Sequence, residues 1–205
     1  MNDSARKLIC SAMNKPWWQV RWDAQVGLHL DCGAPRLESD GMWQRRVLLR
    51  GATKLVARRV VRVLGTHWLW FAPRAWRIAL ADGLTVSDTS STRARDAACE
   101  RLKGEMLVRV RIDVVNSASV FEFDLGSSIA VRAPRGTRST ARNRLELWSL
   151  HAPRNRFVAG YAGGYFSTGS TRGQDPPPVP LAPRPREGAE IVIELTKRHS
   201  RVTAA

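Results

Sequence analysis

The residues best equipped for chemistry are few. Glu122 and Asp124 stand two apart in the run Val120–Leu125, on one face of any strand, and Asp113 lies in the alternating run before it. Three carboxylates at that range can raise one another's pKa or hold a cation. Arg109 and Arg111 occupy the polar positions of the preceding run, so a cross-strand charge ladder is the simpler expectation. His29 and Asp31 also share a strand face. A metal would need a third ligand, and nothing local recruits His67, His151 or His199. There is no G-x-S-x-G elbow and no glycine-rich phosphate cradle. Cys10, Cys32 and Cys99 are far apart without a CxxC, which suggests neither a disulfide framework nor a cysteine zinc site. On these residues the reading names no catalytic residue, metal or cofactor, and leans away from an enzyme.

Charge is the louder signal. The 205 residues carry 33 Lys+Arg against 18 Asp+Glu, a formal +15 with a pI near 11.3. Such a surface attracts polyanions, although an Arg-heavy composition also arises without any ligand. Position sharpens it. Residues 36–77 hold ten basic residues and two acids, residues 132–156 hold seven and one, and residues 82–131 between them hold six and eight. The charge is blocked along the chain. The loop Arg135-Gly136-Thr137-Arg138-Ser139-Thr140-Ala141-Arg142 combines hydroxyls with three guanidiniums, a composition suited to phosphate. Arg45, Arg46, Arg50, Arg58 and Arg62 extend that patch if their strands are neighbours. Trp17-Trp18 adds an aromatic edge, because consecutive strand residues face opposite ways and one ring is left outside unless both faces are covered.

The elements that must position these residues follow a period of two. Strands are expected at 17–22, 27–31, 43–49, 58–64, 67–71 and 76–80. One short helix near 92–103 starts at Ser90-Ser91-Thr92 and stops at Gly104. In the hairpin that follows, Val108, Val110, Ile112 and Val114 face one way, with Phe121 and Phe123 on the same side. A turn at Ser117-Ala118 sets Val114 opposite Phe121, Ile112 opposite Phe123 and Arg111 opposite Asp124. Further strands are expected at 128–132, 144–151 and 157–161. The fold class is mainly β (α+β), an antiparallel β-sandwich or partly open barrel with that one helix. Residues 1–166 form a single β-rich domain, 167–188 a Pro-rich disordered linker, and 189–205 a terminal strand or short helix with a frayed end. No apolar run reaches the roughly 18–20 residues of a membrane span, and the N-terminus lacks a secretory pattern, so a cytoplasmic setting is expected.

At Gly65-Thr66-His67-Trp68-Leu69-Trp70, then Trp76, Phe121-Glu122-Phe123-Asp124-Leu125-Gly126 and Leu147-Trp148, the chain resembles a group of small bacterial proteins with no assigned function. These share Gly-x-x-Trp-x-Trp and Phe-x-Phe-Asp-Leu-Gly strand motifs, and the likeness covers roughly residues 20–165. The chain departs from the group in its Arg-rich strands, basic loop and Pro-rich tail. The resemblance implies no activity or cofactor, and its shared positions favour a binding scaffold. Two functions follow as expectations. The first is a non-enzymatic basic protein that docks a protein partner with an acidic surface through its Arg-rich sheet and the Trp17-Trp18 edge. The alternative is nucleic-acid binding through the Arg135–Arg142 loop and the basic strands 45–62. An immunity protein against a nucleic-acid-cleaving toxin is disfavoured, since that role calls for an acidic face.

Overall fold

Alternation of apolar and polar residues resolves into two antiparallel sheets that share one core. The structure, a computed structural model, describes residues 3–49, 52–113, 118–134, 145–162, 165–170, 179–180 and 190–194; within these, 38–49, 52–61, 179–180 and 190 are described by strand position alone. The elements in chain order are α1 (Asp3–Ala12), β1 (Trp17–Asp23), β2 (Gly27–Leu49), β3 (Ala52–Phe71), β4 (Trp76–Ala79), β5 (Thr85–Ser87) and α2 (Thr92–Leu102). They continue with β6 (Leu107–Asp113), β7 (Ala118–Phe123), β8 (Ser128–Arg132), β9 (Glu146–Ala152), β10 (Arg156–Tyr161), β11 (Tyr165–Ser170), β12 (Val179–Pro180) and β13 (Glu190–Glu194). The first sheet runs β1-β2-β3-β9-β10-β11-β12 and the second β13-β6-β7-β8-β4-β5. This is a mainly β sandwich with two short helices, and it does not close into a barrel. No helix among the described residues is long and apolar enough to cross a membrane.

Aromatic residues hold the sheets together. Phe71 of β3 meets Phe121 of β7 edge-on at 5.0 Å, Phe121 meets Trp148 of β9 at 5.2 Å, and Trp148 meets Phe166 of β11 at 5.5 Å. Such edge-to-face pairs add about 0.5–1.5 kcal/mol each beyond the area they bury. The Trp148 indole N–H donates across the core to Ser119 Oγ at 3.0 Å, so its burial leaves no orphan donor. Gly160 of β10 makes room for that ring: a Cβ there would lie 2.5 Å from Trp148 Nε1.

Several details differ from the sequence reading. The strands expected at 27–31 and 43–49 are one strand, as are those at 58–64 and 67–71. Helix α1 was not anticipated, yet Ala5, Leu8, Ile9 and Ala12 are its buried residues and recur at helical spacing. Helix α2 starts as expected, with Ser91 Oγ accepting from Ala94 N–H, and Gly104 follows it at φ +89°. Hairpin β6–β7 pairs four residues away from the expected register, with Val110 opposite Phe121 and Arg109 opposite Glu122. An even shift keeps every side chain on its face, so facing survived where register did not. A bulge between Leu107 and Arg109 then buries Leu107 in place of Val108. Residues 167–170, assigned to the linker, belong to β11, and β13 seals the second sheet by pairing with β6.

Candidate functional site

The fused strands β2 and β3 make the most distinctive feature of the fold. Strand β1 pairs with β2 only as far as Trp17 opposite Cys32, and β9 joins β3 only from Trp68 onward. Beyond those rungs β2 and β3 pair with each other alone among the described strands, as far as Leu49 opposite Ala52. At about 3.3 Å per residue this two-stranded ribbon is on the order of 50 Å long.

Its root is built by specific contacts. Gly33 has φ +78°, a left-handed conformation that favours glycine, and the pairing shifts register between Cys32 and Pro35. Opposite it, a Cβ on Gly65 would stand 2.4 Å from the Cys32 carbonyl oxygen, so the two backbones come closer than any side chain allows. The buried carboxylate of Asp31 accepts from Gly65 N–H at 3.0 Å, and Trp18 Nε1–H donates to the Gly33 carbonyl at 2.9 Å. Burial raises the pKa of Asp31, while the Gly65 bond and Arg21 oppose that rise. Arg62 helps to lower the pKa of His29 although it lies eight residues along β3 from Trp70, the partner of His29.

Beyond the root the register arranges the charge. Glu38 stands opposite Arg62 in the register, and the proximal residues 33–40 and 60–67 hold two cations and two acids. The eight distal rungs run from Met42–Arg59 to Leu49–Ala52, and residues 41–61 contain no acid. Five of these rungs set one cation opposite an uncharged residue: Met42–Arg59, Trp43–Arg58, Arg45–Val56, Arg46–Leu55 and Val47–Lys54. No rung opposes two cations, which avoids the cost of directly facing like charges. Because successive rungs alternate between faces, Arg58, Arg45 and Lys54 fall on one face of the ribbon, and Arg59 and Arg46 on the other.

The sequence-predicted residues divide accordingly. Arg45, Arg46 and Arg58 come together on the distal ribbon, and Arg62 lies at its root. Arg50, Arg135, Arg138 and Arg142 lie outside the described residues. Trp17 is a correction: it is 0% exposed, so it offers no surface edge. The reason is that its ring stands on the core face of β1, in the same hydrophobic cluster as Cys32, its partner on β2. Trp18 is half-buried and committed to the ribbon root.

Glu122, Asp124, His29, His67 and His151 all have contacts within the fold. Glu122 accepts Arg111 Nε at 2.8 Å and pairs with Arg109 at 3.2 Å, while Arg109 Nε also reaches Glu194 at 2.5 Å. Asp124 accepts Met106 N–H at 2.7 Å. His29, Trp68 and His151 stack in a row, with Trp68 and His151 centroids 3.5 Å apart. Burial, aided by Arg21 and Arg62, lowers His29 to a pKa of about 4; burial and then His29 do the same to His151. His67 Nε2 lies 3.1 Å from Ser11 Oγ, but that hydroxyl donates to the Leu8 carbonyl at 2.7 Å. Lys15 Nζ lies 3.3 Å from Nδ1 and 3.4 Å from Nε2, and Thr66 Oγ1 lies 3.3 Å from Nδ1. These contacts tie α1 to β3. Burial, with Lys15 and Arg156 nearby, lowers His67 to about 4. Cys32 and Cys99 are pushed up to about 12 by burial and are inert thiols. Among the described residues no group of three His, Cys, Asp or Glu is placed to hold a metal ion.

No protein-family model, curated protein or solved structure matches the chain.

Proposed function

We propose that this protein binds nucleic acid through the distal part of its β2–β3 ribbon. The observation that carries this reading is the run of eight rungs with five cations and no carboxylate. Counter-ions must balance such an array in the free protein, and their exchange for phosphates is the main driving force of nucleic-acid binding. A two-stranded β-ribbon also has the width that the major groove of duplex DNA admits. Docking to an acidic protein loses its aromatic anchor, since that expectation leaned on an exposed Trp17-Trp18 edge and Trp17 is buried. The Arg135–Arg142 loop stays part of the proposal as a second phosphate contact on sequence grounds.

Lys and Arg also protect unpaired ribbon edges from aggregation, so the test must separate repulsion from binding. Anisotropy of labelled duplex DNA and single-stranded RNA is measured with the full chain from about 50 to 200 mM salt. Five phosphate contacts predict a log–log slope near −4.5 on duplex, a loss of about 500-fold across that range. Glutamate at positions 45, 46, 58 and 59 still repels other copies but removes four of the five phosphate contacts of the ribbon. Retained duplex affinity in that variant, confirmed folded by circular dichroism, overturns the proposal.

A further inference from the structure

We infer that a small cleft between β1, β4 and α2 binds a free α-amino acid with an apolar side chain, its carboxylate on Arg74 and Arg95 and its ammonium on Asp23 and Asp88. The inference rests on none of the ribbon's features and adds a second site to the molecule. It comes from one juxtaposition: two guanidiniums, two carboxylates and two indole rings line a single cavity of about 190 Å³.

The cleft lies where four segments meet. The end of β1 gives Trp22 and Asp23, the turn between β3 and β4 gives Pro73 and Arg74, the chain leaving β5 gives Asp88, and α2 gives Arg95. Two of these charges are fixed before any ligand arrives. The Arg95 guanidinium carbon stands 3.5 Å from the centre of the Trp22 ring, and Nη1 donates to the Asp88 carbonyl. The indole is itself held, since its N–H donates to Asp96 Oδ1 at 2.8 Å. Asp23 Oδ1 accepts Gln25 N–H at 2.7 Å and Val26 N–H at 2.9 Å, and those two bonds hold its pKa below the ordinary value.

Arg74 breaks a local rule. It and Pro73 are the central residues of a turn closed by Ala75 N–H to the Ala72 carbonyl at 3.3 Å, and Arg74 has φ +62°. A turn with proline first and a left-handed residue second ordinarily takes glycine or asparagine there. Arginine stands in that strained position, exposed at the cleft, and no ion pair among the described residues engages it. Backbone strain of this kind concentrates at ligand sites.

Balanced charge selects the ligand. Guanidiniums take carboxylates and phosphates in paired hydrogen bonds, but a simple anion here would also face Asp23 and Asp88. A zwitterion satisfies both signs. The cavity is smaller than the roughly 300–1,000 Å³ of clefts that hold drug-sized molecules, which favours a ligand of amino-acid size. Trp22, Trp76, Pro73 and Ala24 give its side chain an apolar wall.

The test is isothermal titration calorimetry of the full chain with L-alanine, L-valine, L-leucine, L-methionine and L-phenylalanine, each from about 0.01 to 10 mM. At least one is expected to bind. Its deaminated acid and its decarboxylated amine are each expected to bind at least about tenfold more weakly. Arg74→Gly suits the turn, so its urea midpoint is expected to hold while affinity falls about tenfold. Asp23→Asn keeps an oxygen for the two backbone N–H groups but removes the charge, and the same loss is expected. Binding of none of the five overturns the inference. Equal binding of the deaminated acid overturns it in favour of a simple anion, and unchanged affinity in either variant overturns the assignment to this cleft.

Discussion

Two regions of this molecule are rich in arginine, and they treat it in opposite ways. On strands β13, β6 and β7, Arg109 lies between Glu194 and Glu122, and Arg111 bonds the same Glu122 at 2.7–2.8 Å. On the distal ribbon the cations alternate between faces over eight rungs with no carboxylate among them. The first arrangement finishes its electrostatics within the protein. The second has no carboxylate within residues 41–61. A composition of +15 does not distinguish these cases, but strand register does.

The largest expected effect separates the two regions directly. Glutamate at Arg45, Arg46, Arg58 and Arg59 should lower duplex affinity more than about 500-fold at 100 mM salt, measured by anisotropy. Packing comes next. Gly160→Val drives a side chain into Trp148 and should cost about 3 kcal/mol in urea denaturation, with the duplex affinity of the folded protein unchanged. If binding falls with stability, the ribbon and the body are coupled and the comparison fails.

Acid should also act on the body. His29, His67 and His151 are each held at about 4 in the fold against an ordinary value of 6.5. Their folded pKa lies below the unfolded one, so the unfolded chain takes protons first as pH falls. The stability they contribute is complete above pH 6.5 and is lost as pH drops toward 4. Urea midpoints measured across that window should decline steadily, and a His151→Phe variant should show a shallower decline. The smallest effect belongs to the ladder. Arg109→Ala should cost no more than about 1 kcal/mol, because its partners are partly solvated, and should change duplex affinity by less than about twofold.

Much of this was legible in the residues. Period-two alternation placed most strands, and Ser91 with Gly104 bounded α2. The charge ladder on Glu122 followed from the polar faces of two neighbouring strands. Other features needed three dimensions. Alternation constrains which face a residue occupies but not its partner, so the β6–β7 register slipped by four residues while Phe121 and Phe123 stayed buried. The ribbon was read as four short strands because Gly33, Pro35, Gly65 and their neighbours are breakers by composition. In the fold the two glycines serve a close approach at the ribbon root. Which of Trp17 and Trp18 faces the core depended on the second sheet, whose residues are remote in sequence. The helical spacing of Ala5, Leu8, Ile9 and Ala12 is a signal for α1 that the sequence itself carries.

The central claim is that the position of the ribbon cations, and not the total charge, attracts nucleic acid. Two variants of equal net charge test it most directly. One replaces Arg45, Arg46, Arg58 and Arg59 with alanine, and the other replaces the exposed body residues Arg77, Arg93, Arg132 and Arg154. The measurement is the salt dependence of duplex anisotropy for both beside the unaltered protein. The account predicts that the ribbon variant loses about 3.6 units of log–log slope while the body variant loses less than about one. Equal losses from the two would contradict it and return the binding to composition alone.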